Sequence, residues 1–481
     1  MHLASIVAAT VAIVLYSLCS AMHLADKHCV NNREVRQDQI SGGDDITTAS
    51  TSCSVAGVAD SGLTPRVKDK NYRSSRPQLS QRVRETEPAH IEAVLLKYAD
   101  MIPPPANLAQ GVAHWDPPQA AMRLLSSNRN ERGALCSSSI HRYGAALGLP
   151  ALREALIRKL EQENGLDMAG QEVMVTGGGN QAFAMVALAL LDPGDRVVLV
   201  RPFYCSHQCA IQLAGGVEVE CEWEPSTLLP NMDQLRRKIE RGIKMVVITT
   251  PGNPSGAVCP QEMMEEITAL CKAHGVWLVV DEAYEHFVYD GAWHYSPCGS
   301  RLGCSDNIIH LYTMSKSFGM AGWRLGYAVY PSWASGNMVK IQDTLPTHAS
   351  MASQRIALAA LEMEGCSWAR SNVATLSRCR EAMWTAVKSM GGVKGDGAFY
   401  FLVPVPVEED IAIDVLAREW DVLVTPGRAF GAPGHVRVSY GSLPEAECLD
   451  AIGRLADGLQ ALTALAAGKA EATVVPSIEK T

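Results

Sequence analysis

Residues 313–327 of this 481-residue chain read TMSKSFGMAGWRLGY. Lys316 stands between two serines, and Arg324 follows it eight positions later among small residues. A lysine in this setting can condense with an aldehyde group, and the arginine can bind a phosphate on the same molecule. Apolar runs at residues 308–313 and 324–329 predict a strand on each side of the segment. We therefore predict a chemically active loop between two strands of one sheet, although taken alone the lysine could be a surface residue.

The middle of the chain alternates short apolar runs with helical segments. Four further runs rich in β-branched residues lie at residues 173–176, 196–200, 244–249 and 276–280, and helices are predicted within 140–165 and at 181–191. Runs that are apolar on both faces and joined by helices predict a parallel sheet with helices on both sides. Toward the C-terminus the pattern predicts a long helical stretch, two strands and a final helix, at residues 354–388, 398–403, 435–440 and 445–466. The predicted fold class is α/β, with a large α/β domain and a smaller α+β domain.

Shifts in composition divide the chain into six predicted segments. They are an apolar signal-like segment (1–22), a disordered extension (23–85), an N-terminal arm with part of the small domain (86–125), the large domain (126–345), the C-terminal small domain (346–467) and a polar tail (468–481). The extension is rich in Ser, Thr, Asp, Arg and Gln and has little apolar periodicity, which is why it is predicted to be disordered.

The composition is that of a soluble globular protein, since 47% of the residues are hydrophobic and 19% are charged. The net charge of −9 and the pI near 5.8 argue against a nucleic-acid partner, which would favour a basic surface. Fourteen cysteines lie along the chain without a C-x-x-C pair, and we predict that they are reduced and mostly buried. The group Cys205-x-His207-x-Cys209 lacks a second half at zinc spacing, so no metal site is predicted.

The N-terminus carries an apolar stretch at residues 3–22 that has the length of a signal peptide or a signal anchor. Only His2 precedes it, so the usual basic flank is missing. Residues 64–84 are rich in Arg, Lys and Ser, as transit peptides are, although three aspartates stand upstream of them. A signal peptide, a membrane anchor, a two-part organelle address and a mis-assigned start codon are all open alternatives. The expected location is the secretory pathway or an organelle if the segment is an address, and the cytoplasm otherwise, with membrane contact only through this segment if it is retained.

Asp281 directly follows the apolar run at residues 276–280. A carboxylate at the carboxyl end of a buried strand faces the crevice in which α/β proteins bind ligands. There it can pair with a protonated ring nitrogen of a cofactor and keep that nitrogen charged; a helix N-cap is the alternative role. Tyr284, three residues later, can donate its phenol to an oxygen of the same ring, or it can be an aromatic residue of the rim.

Two further loops follow predicted strands. Asn253 lies in TTPGNPSG at residues 249–256, where two prolines and two glycines predict a rigid turn. The segment TGGGNQA at residues 176–182 joins a strand to a helix, so its glycines and the free N–H groups of the helix can hold a phosphate. An acidic residue about 20 positions later would favour a dinucleotide, but Arg201 stands there instead. The candidate phosphate-binding residues are Gly179, Asn180 and Gln181, and Tyr204 is a candidate ring to stack on the cofactor.

Arg437 lies in HVRVSY at residues 435–440, within a predicted strand of the smaller domain. Its guanidinium can bind the α-carboxylate of a substrate through two hydrogen bonds. The alternative is a surface arginine, which is the more common fate of an isolated strand arginine.

The pattern S-K-x-x-x-x-x-G-x-R-x-G around Lys316 resembles the pyridoxal 5′-phosphate (PLP) lysine motif of the class I/II aminotransferases. Together with Asp281, Tyr284, Asn253 and Arg437, the motif stands in the order and approximate spacing of fold-type I enzymes of that family, over residues 107–463. The resemblance implies a mostly parallel seven-stranded sheet and PLP as cofactor. It also implies that Lys316 forms the Schiff base and moves the substrate's Cα proton, with Asp281 and Tyr284 as its catalytic partners.

The site residues that the resemblance implies fall into two groups. Those that bind the cofactor are Gly179, Asn180, Gln181, Tyr204, Asn253, Asp281, Tyr284, Ser315, Lys316, Arg324 and Tyr143. Those that bind the substrate are Gly111, Trp115, Asn253 and Arg437. Tyr143 begins Tyr143-x4-Gly148-x3-Leu152-Arg153, which is similar to the family motif whose tyrosine reaches the phosphate of the neighbouring subunit. A homodimer with a shared active site is therefore expected.

Within the family, the pattern looks like that of plant-type aromatic-amino-acid and methionine aminotransferases. The similar stretches are residues 108–118, 173–183, 320–327 and 339–343. That group transfers the amino group of phenylalanine, tyrosine, tryptophan or methionine to a 2-oxo acid. Related bacterial aspartate enzymes carry a lysine where this chain has Asn180, and Trp115 and Tyr143 suit an apolar or aromatic side chain.

Three alternatives remain beside this interpretation. An aspartate-type aminotransferase and a lyase acting on cysteine conjugates would share every cofactor residue. A transcription regulator with an aminotransferase-like effector domain would carry a basic winged helix ahead of the fold. Residues 1–85 show no helical period that could form one.

Overall fold

The computed structural model describes residues 79–125, 138–297 and 306–468, which all belong to one compact unit, Pro77–Thr481. The predicted signal-like segment, the predicted extension up to residue 78 and the polar tail after residue 468 lie outside the described residues. The end of the predicted extension forms a short helix, Gln81–Glu85. The domain boundaries given above stay predictions.

The described residues contain twelve strands: β1 (Ala106–Asn107), β2 (Gln171–Thr176), β3 (Arg196–Val200), β4 (Val217–Cys221), β5 (Met245–Thr249), β6 (Trp277–Asp281), β7 (Ile308–Thr313), β8 (Gly326–Pro331), β9 (Tyr400–Pro404), β10 (Val422–Leu423), β11 (Thr425–Pro426) and β12 (His435–Ser439). The predicted strands coincide with these to within a few residues at each end. The sequence did not predict β4 or the two-residue strands β1, β10 and β11.

The α-helices of the same ranges are α1 (Gln81–Glu85), α2 (His90–Lys97), α3 (Gln119–Met122), α4 (Pro150–Glu163), α5 (Gly179–Leu190), α6 (Cys205–Ala214), α7 (Met232–Glu240), α8 (Gln261–Ala273), α9 (Ser335–Thr344), α10 (Met351–Met363), α11 (Gly365–Ala374), α12 (Ser377–Val387), α13 (Glu409–Glu419) and α14 (Glu445–Ala466). The long helical stretch predicted at residues 354–388 is thus divided among α10, α11 and α12. None of the helices in the described ranges is long and apolar enough to span a membrane.

Seven strands form the main sheet in the order β2-β8-β7-β6-β5-β3-β4. Neighbours pair in parallel, except that β8 runs antiparallel to both β2 and β7. The predicted α/β fold with a mostly parallel seven-stranded sheet is therefore confirmed.

Both faces of this sheet are buried, because alternate residues of each strand pack against different helices. Along β3, Val198 contributes to a core that includes residues of α4, α7, α8 and α10. Its neighbours Val197 and Leu199 contribute to a second core with residues of α5, α6 and α9. This double burial explains why the strands read as continuous apolar runs in the sequence.

A smaller unit is built largely from the C-terminal third. It contains a three-stranded antiparallel sheet in the order β11-β12-β9 and the two-stranded pair β1-β10. Its core joins residues of α12, α13 and α14 to the strands, for example Phe401, Val436 and Leu455. Because β1 and β10 pair, the N-terminal arm belongs to the same layer as the C-terminal strands.

The carboxyl ends of β5, β6 and β7 lie side by side. Thr249 at the end of β5 pairs with Asp281 at the end of β6, and Asp281 pairs with Leu311 of β7. The loops that follow these ends carry Asn253 and Lys316. This edge is where ligands bind in open α/β sheets.

Candidate active site

A cavity of about 220 Å³ opens at the carboxyl edge of the sheet. Asn253 follows β5, Asp281 ends β6, and Thr313 ends β7, and all three line the cavity. Arg437 of β12 closes it from the smaller sheet. The cavity therefore receives polar groups from both sheets, as ligand sites in α/β proteins commonly do.

Lys316 lies in the loop that follows β7, and its Nζ donates a hydrogen bond to the backbone oxygen of Gly111. Burial, with the positive charges of Arg437 and Arg324, lowers the pKa of this lysine to about 8, although Asp281 acts to raise it. At neutral pH, a larger fraction of this amine is uncharged than for an ordinary lysine. Lys316 is therefore suited to act as a nucleophile and as a base.

The loop around Lys316 is held by its neighbours. The Thr313 hydroxyl donates to the Ser315 hydroxyl at 2.9 Å and accepts from the Ser315 N–H at 3.1 Å. At Gly319 the backbone has a φ of +63°, and a Cβ there would lie 2.4 Å from the backbone oxygen of Trp115. Only glycine fits at this position without displacing the backbone.

Asp281 is held by a buried histidine from another element. Its Oδ2 lies 3.0 Å from Nε2 of His207, which belongs to α6 and is 3% exposed. Its Oδ1 accepts the N–H of Ala283 at 3.1 Å. The carboxylate is thereby oriented into the cavity while keeping a partner on each oxygen.

The start of α5 and Arg324 form a positively polarised corner of the cavity. The helix begins at Gly179, where N–H groups have no partner within the helix. A Cβ on Gly178 would lie 2.6 Å from Nη2 of Arg324, so the missing side chain leaves room for the guanidinium. Arg324 itself has a φ of +52°, a strained conformation that is concentrated at functional sites. The corner can hold an anion.

Arg437 is almost fully buried, between the rings of Tyr400 at 4.5 Å and Phe430 at 4.7 Å. Its Nη1 donates to Oδ1 of Asn253 at 2.9 Å, and its Nη2 donates to the backbone oxygen of Ala109. Its Nε has no hydrogen-bond partner among the described residues. A buried charged donor without a partner is costly, so this group is suited to receive a carboxylate.

Two pairs of polar side chains complete the cavity. The hydroxyl groups of Tyr284 and Tyr400 lie 2.8 Å apart. Burial raises the pKa of Tyr284 well above its usual value, so this phenol stays protonated at neutral pH. The hydroxyl of Tyr204 donates to Oδ1 of Asn180 at 3.3 Å.

The family described as aminotransferase class I and II matches residues 104–455. This chain belongs to that family. The enzyme is therefore a transaminase, as the sequence predicts. Members of the family use PLP, act on amino acids and 2-oxo acids, and are typically homodimers.

Three known proteins illustrate how similar the relatives of this aminotransferase are. An aromatic aminotransferase of Arabidopsis thaliana is 38% identical over 371 residues, which cover 74% of this chain and 90% of that protein. An aspartate/prephenate aminotransferase of Thermus thermophilus is 34% identical over 382 residues, covering 76% and 95%. The structure of an aspartate aminotransferase of Thermus thermophilus with maleate superimposes with a TM-score of 0.71 at 32% identity, covering 80% of this chain and all of that one.

Most of the site residues expected from the sequence line the cavity of this aminotransferase. They are Gly111, Gly179, Asn180, Tyr204, Asn253, Asp281, Tyr284, Ser315, Lys316, Arg324 and Arg437. The roles of these residues toward cofactor and substrate stay predictions.

Three expected residues lie elsewhere. The side chain of Gln181 turns back to accept the N–H of Gly177. The indole of Trp115 donates to the backbone oxygen of Ser317 at 3.3 Å, in the loop that carries Lys316. Tyr143 is 88% exposed, and its ring lies 5.9 Å from that of His348. Gln181 and Trp115 support their loops, whereas Tyr143 is exposed and is not among the described residues that line the cavity.

Among the cavity residues that the sequence does not single out are His207 and Tyr400. His207 lies in the Cys205-x-His207-x-Cys209 group, which gives no metal-binding signal, and its partner Asp281 is 74 residues away in sequence. Tyr400 lies in a predicted apolar strand, where no local signal distinguishes it from core aromatic residues.

Proposed function

We propose that this aminotransferase binds PLP in the described cavity and transfers the amino group of an aromatic L-amino acid or methionine to a 2-oxo acid by a ping-pong mechanism. The observation that carries the proposal is the convergence of Lys316, Asp281 and Arg437 on one cavity. These supply, in that order, an amine, a fixed negative charge and a buried cation.

The residues present fit the cofactor. Its phosphate would be held by Arg324, Ser315 and the N-terminus of α5 at Gly179, which form the positively polarised corner. Its ring nitrogen would pair with Asp281, and its ring oxygen would face the donors of Asn253 and Tyr284. When bound, PLP supplies an electron-withdrawing ring and an aldehyde carbon. Tyr204 would contact the face of that ring.

Each side chain then has a defined task. Lys316 offers an amine that is partly uncharged at neutral pH and can carry a proton to and from the substrate's Cα. Asp281, oriented by His207, stabilises positive charge on the ring nitrogen. Arg437 binds the α-carboxylate that donor and acceptor share, so the same cation serves both halves of a ping-pong reaction.

The choice of donor depends on the charges that line the cavity. The cations among the described lining residues are Lys316, Arg324 and Arg437, and each already has a task in the proposal. Asn180 stands where related aspartate enzymes carry a lysine, and its Oδ1 accepts from Tyr204. The relatives named above include both an aromatic and an aspartate/prephenate enzyme. The lack of a further cation among these lining residues favours the aromatic or methionine donors over aspartate.

The donor preference can be measured directly. Phenylalanine, tyrosine, tryptophan or methionine should exceed aspartate in kcat/KM by about tenfold or more, because an unpaired carboxylate is costly to bury. Half-reaction spectra with a panel of amino acids would measure the difference. Aspartate as the best donor would instead support the aspartate-type alternative, and pyruvate and ammonia released without an acceptor acid would support the lyase.

The same panel tests the carboxylate anchor. Arg437→Ala should lower kcat/KM by about 10- to 100-fold for every donor alike, the range for losing a charged hydrogen bond. Arg437→Lys is the matched control, because it keeps the charge but lacks the planar fork, and it should fall between Arg437→Ala and wild type. A loss confined to one class of donor would contradict the proposed role.

We also propose that the active site is shared across a homodimer through Tyr143. Its ring is exposed and is not among the described residues that line the cavity of its own chain, which supports a contact with the phosphate in the partner's cavity. Subunits carrying Tyr143→Ala should need more PLP for activity, since a hydrogen bond to the phosphate is lost.

Mixed dimers distinguish action across the interface from action within one chain. When Tyr143→Ala and Lys316→Ala subunits are combined, one site of each mixed dimer receives both changes and the other receives neither. At limiting PLP, the mixture should therefore recover activity that neither parent shows. If Tyr143 acted in its own chain, every mixed dimer would stay defective, and the proposal would be wrong.

A further inference from the structure

Tyr400 is the first residue of β9 and is fully buried, yet its hydroxyl reaches the active-site cavity. In the antiparallel register of β9 and β12 it pairs with Ser439, two residues from Arg437. The stacking of its ring against the Arg437 guanidinium at 4.5 Å follows from this register. Tyr400 therefore joins the smaller sheet to the cavity at the carboxyl edge of the main sheet.

The hydroxyl of Tyr400 has two close neighbours. One is the hydroxyl of Tyr284 at 2.8 Å, which is the hydrogen-bond partner found for Tyr400 among the described residues. The other is Gly111, where a Cβ would lie only 2.0 Å from the Tyr400 oxygen. Gly111 in turn accepts the hydrogen bond of Lys316. The position of the Tyr400 hydroxyl thus depends on the backbone at Gly111 and on the hydroxyl of Tyr284, and both of these residues line the cavity.

We propose that Tyr400 is a positioning residue whose hydroxyl donates to Tyr284 and thereby strengthens the hydrogen bond that Tyr284 gives to the cofactor's ring oxygen. This inference rests on the proposed function, because it takes PLP as the cofactor. Tyr400 acts through Tyr284 and is not itself required to contact the cofactor.

The direction of the relay follows from the number of protons. Burial raises the pKa of Tyr284 well above its usual range and that of Tyr400 to about 12, so each phenol carries its proton at neutral pH. One hydroxyl proton lies between the oxygens of Tyr284 and Tyr400, and the second hydroxyl proton can form a hydrogen bond with another acceptor. With the ring oxygen of the cofactor as an acceptor, Tyr284 would direct its proton to that oxygen, which would leave Tyr400 to donate to Tyr284. A donor that itself accepts a hydrogen bond becomes a stronger donor.

A double-mutant cycle on the PLP-loaded enzyme tests the relay. The measured quantity is the apparent pKa of the visible absorption band of the bound cofactor. A donor to the ring oxygen favours its deprotonated form, so a weaker donor raises this apparent pKa. Tyr400→Phe should raise it by roughly 0.4–1 pH unit, which corresponds to one hydrogen bond of ordinary strength. In a Tyr284→Phe background, Tyr400→Phe should change it no further, because the relay is already broken.

Gly111→Ala offers a second route to the same result that keeps Tyr400 itself. The added Cβ displaces the Tyr400 hydroxyl, so the apparent pKa should rise as in Tyr400→Phe, and the two changes combined should raise it no more than either alone. Tyr440→Phe is the matched control, since it removes another buried hydroxyl, which donates to the backbone oxygen of Ala398 outside the cavity. It should leave the titration unchanged.

The outcomes separate the inference from the proposed function. Wild-type protein that develops no cofactor band when PLP is added would refute the proposed function. A normal band with an unchanged titration in both Tyr400→Phe and Gly111→Ala would overturn the relay alone. A rise that persists in the Tyr284→Phe background would also overturn it, since Tyr400 would then act by another route.

Discussion

Lys316→Ala should give a folded protein that still binds PLP but transfers amino groups at about 10⁻⁴ of the wild-type rate or below. Binding should persist because Asp281, Arg324 and the N-terminus of α5 are unchanged. Turnover should collapse because no other amine lines the described cavity to carry the substrate's proton. Single-turnover half-reactions with phenylalanine, followed by absorbance, measure the loss without interference from substrate binding.

Lys340 provides the matched control for this change. It is an exposed lysine of α9 whose Nζ donates to Asn337 at 2.9 Å, away from the cavity, so Lys340→Ala should react at the wild-type rate. Borohydride added to the loaded wild-type enzyme should link the cofactor covalently to Lys316, as peptide mapping would reveal. An adduct on a different lysine would refute the assignment.

Asp281→Asn should slow removal of the substrate's Cα proton by about 10³-fold, the size of effect seen when a preorganised electrostatic partner is lost. The substitution keeps the shape of the side chain but removes the negative charge that, in the proposed function, holds the ring nitrogen protonated. Exchange of the Cα proton with deuterated solvent isolates this step. Asp281→Glu should lose less, since it retains the charge.

If Asp281 has only a structural role, Asp281→Asn should have little effect on the reaction. Its Oδ1 accepts the N–H of Ala283, a contact that an asparagine side chain can also make. If Asp281 served only to stabilise this turn, Asp281→Asn would exchange the Cα proton at nearly the wild-type rate. Thermal unfolding of both variants would show whether the turn contributes to stability.

The strands of the main sheet could be predicted from the sequence wherever both of their faces are buried, whereas the two-residue strands β1, β10 and β11 are too short to give an apolar run. The one strand of the main sheet that was missed, β4, lies at the edge of that sheet and pairs with β3. Its sequence VEVEC alternates apolar and charged residues, and Glu218 accepts hydrogen bonds from Gln208 and Gln212 of α6. An edge strand with one polar face gives no continuous apolar run, so the rule that identified its neighbours could not detect it.

The prediction of one long helical stretch at residues 354–388 was wrong for a different reason. The residues at 354–388 have helical propensity throughout, and no proline marks a break. The chain nevertheless turns at Gly365, which has a φ of +65°, and again between α11 and α12. A glycine in a helical sequence pattern can lie inside a helix or can end it. The local sequence does not distinguish these outcomes, and packing against the core decides between them.

The site residues also fall into those that the local sequence predicts and those that it does not. Residues such as Asp281 and Lys316 could be predicted because each stands next to a strand end in its own segment of sequence. His207 and Tyr400 act through partners 74 and 116 residues away, at Asp281 and Tyr284. Such pairings are created by the packing of separate elements, and no local pattern encodes them.

The two backbone oxygens at Ala109 and Gly111 connect parts of the chain that are synthesised at very different times. Gly111 accepts from Lys316, 205 residues later, and Ala109 accepts from Arg437, 328 residues later. A growing chain on the ribosome therefore exposes its reactive lysine before the arginine that completes the cavity has been made. Contacts of such long range also slow folding. A chain that ends before Arg437 lacks this wall of the cavity, so the proposed site is complete only after the smaller sheet has formed.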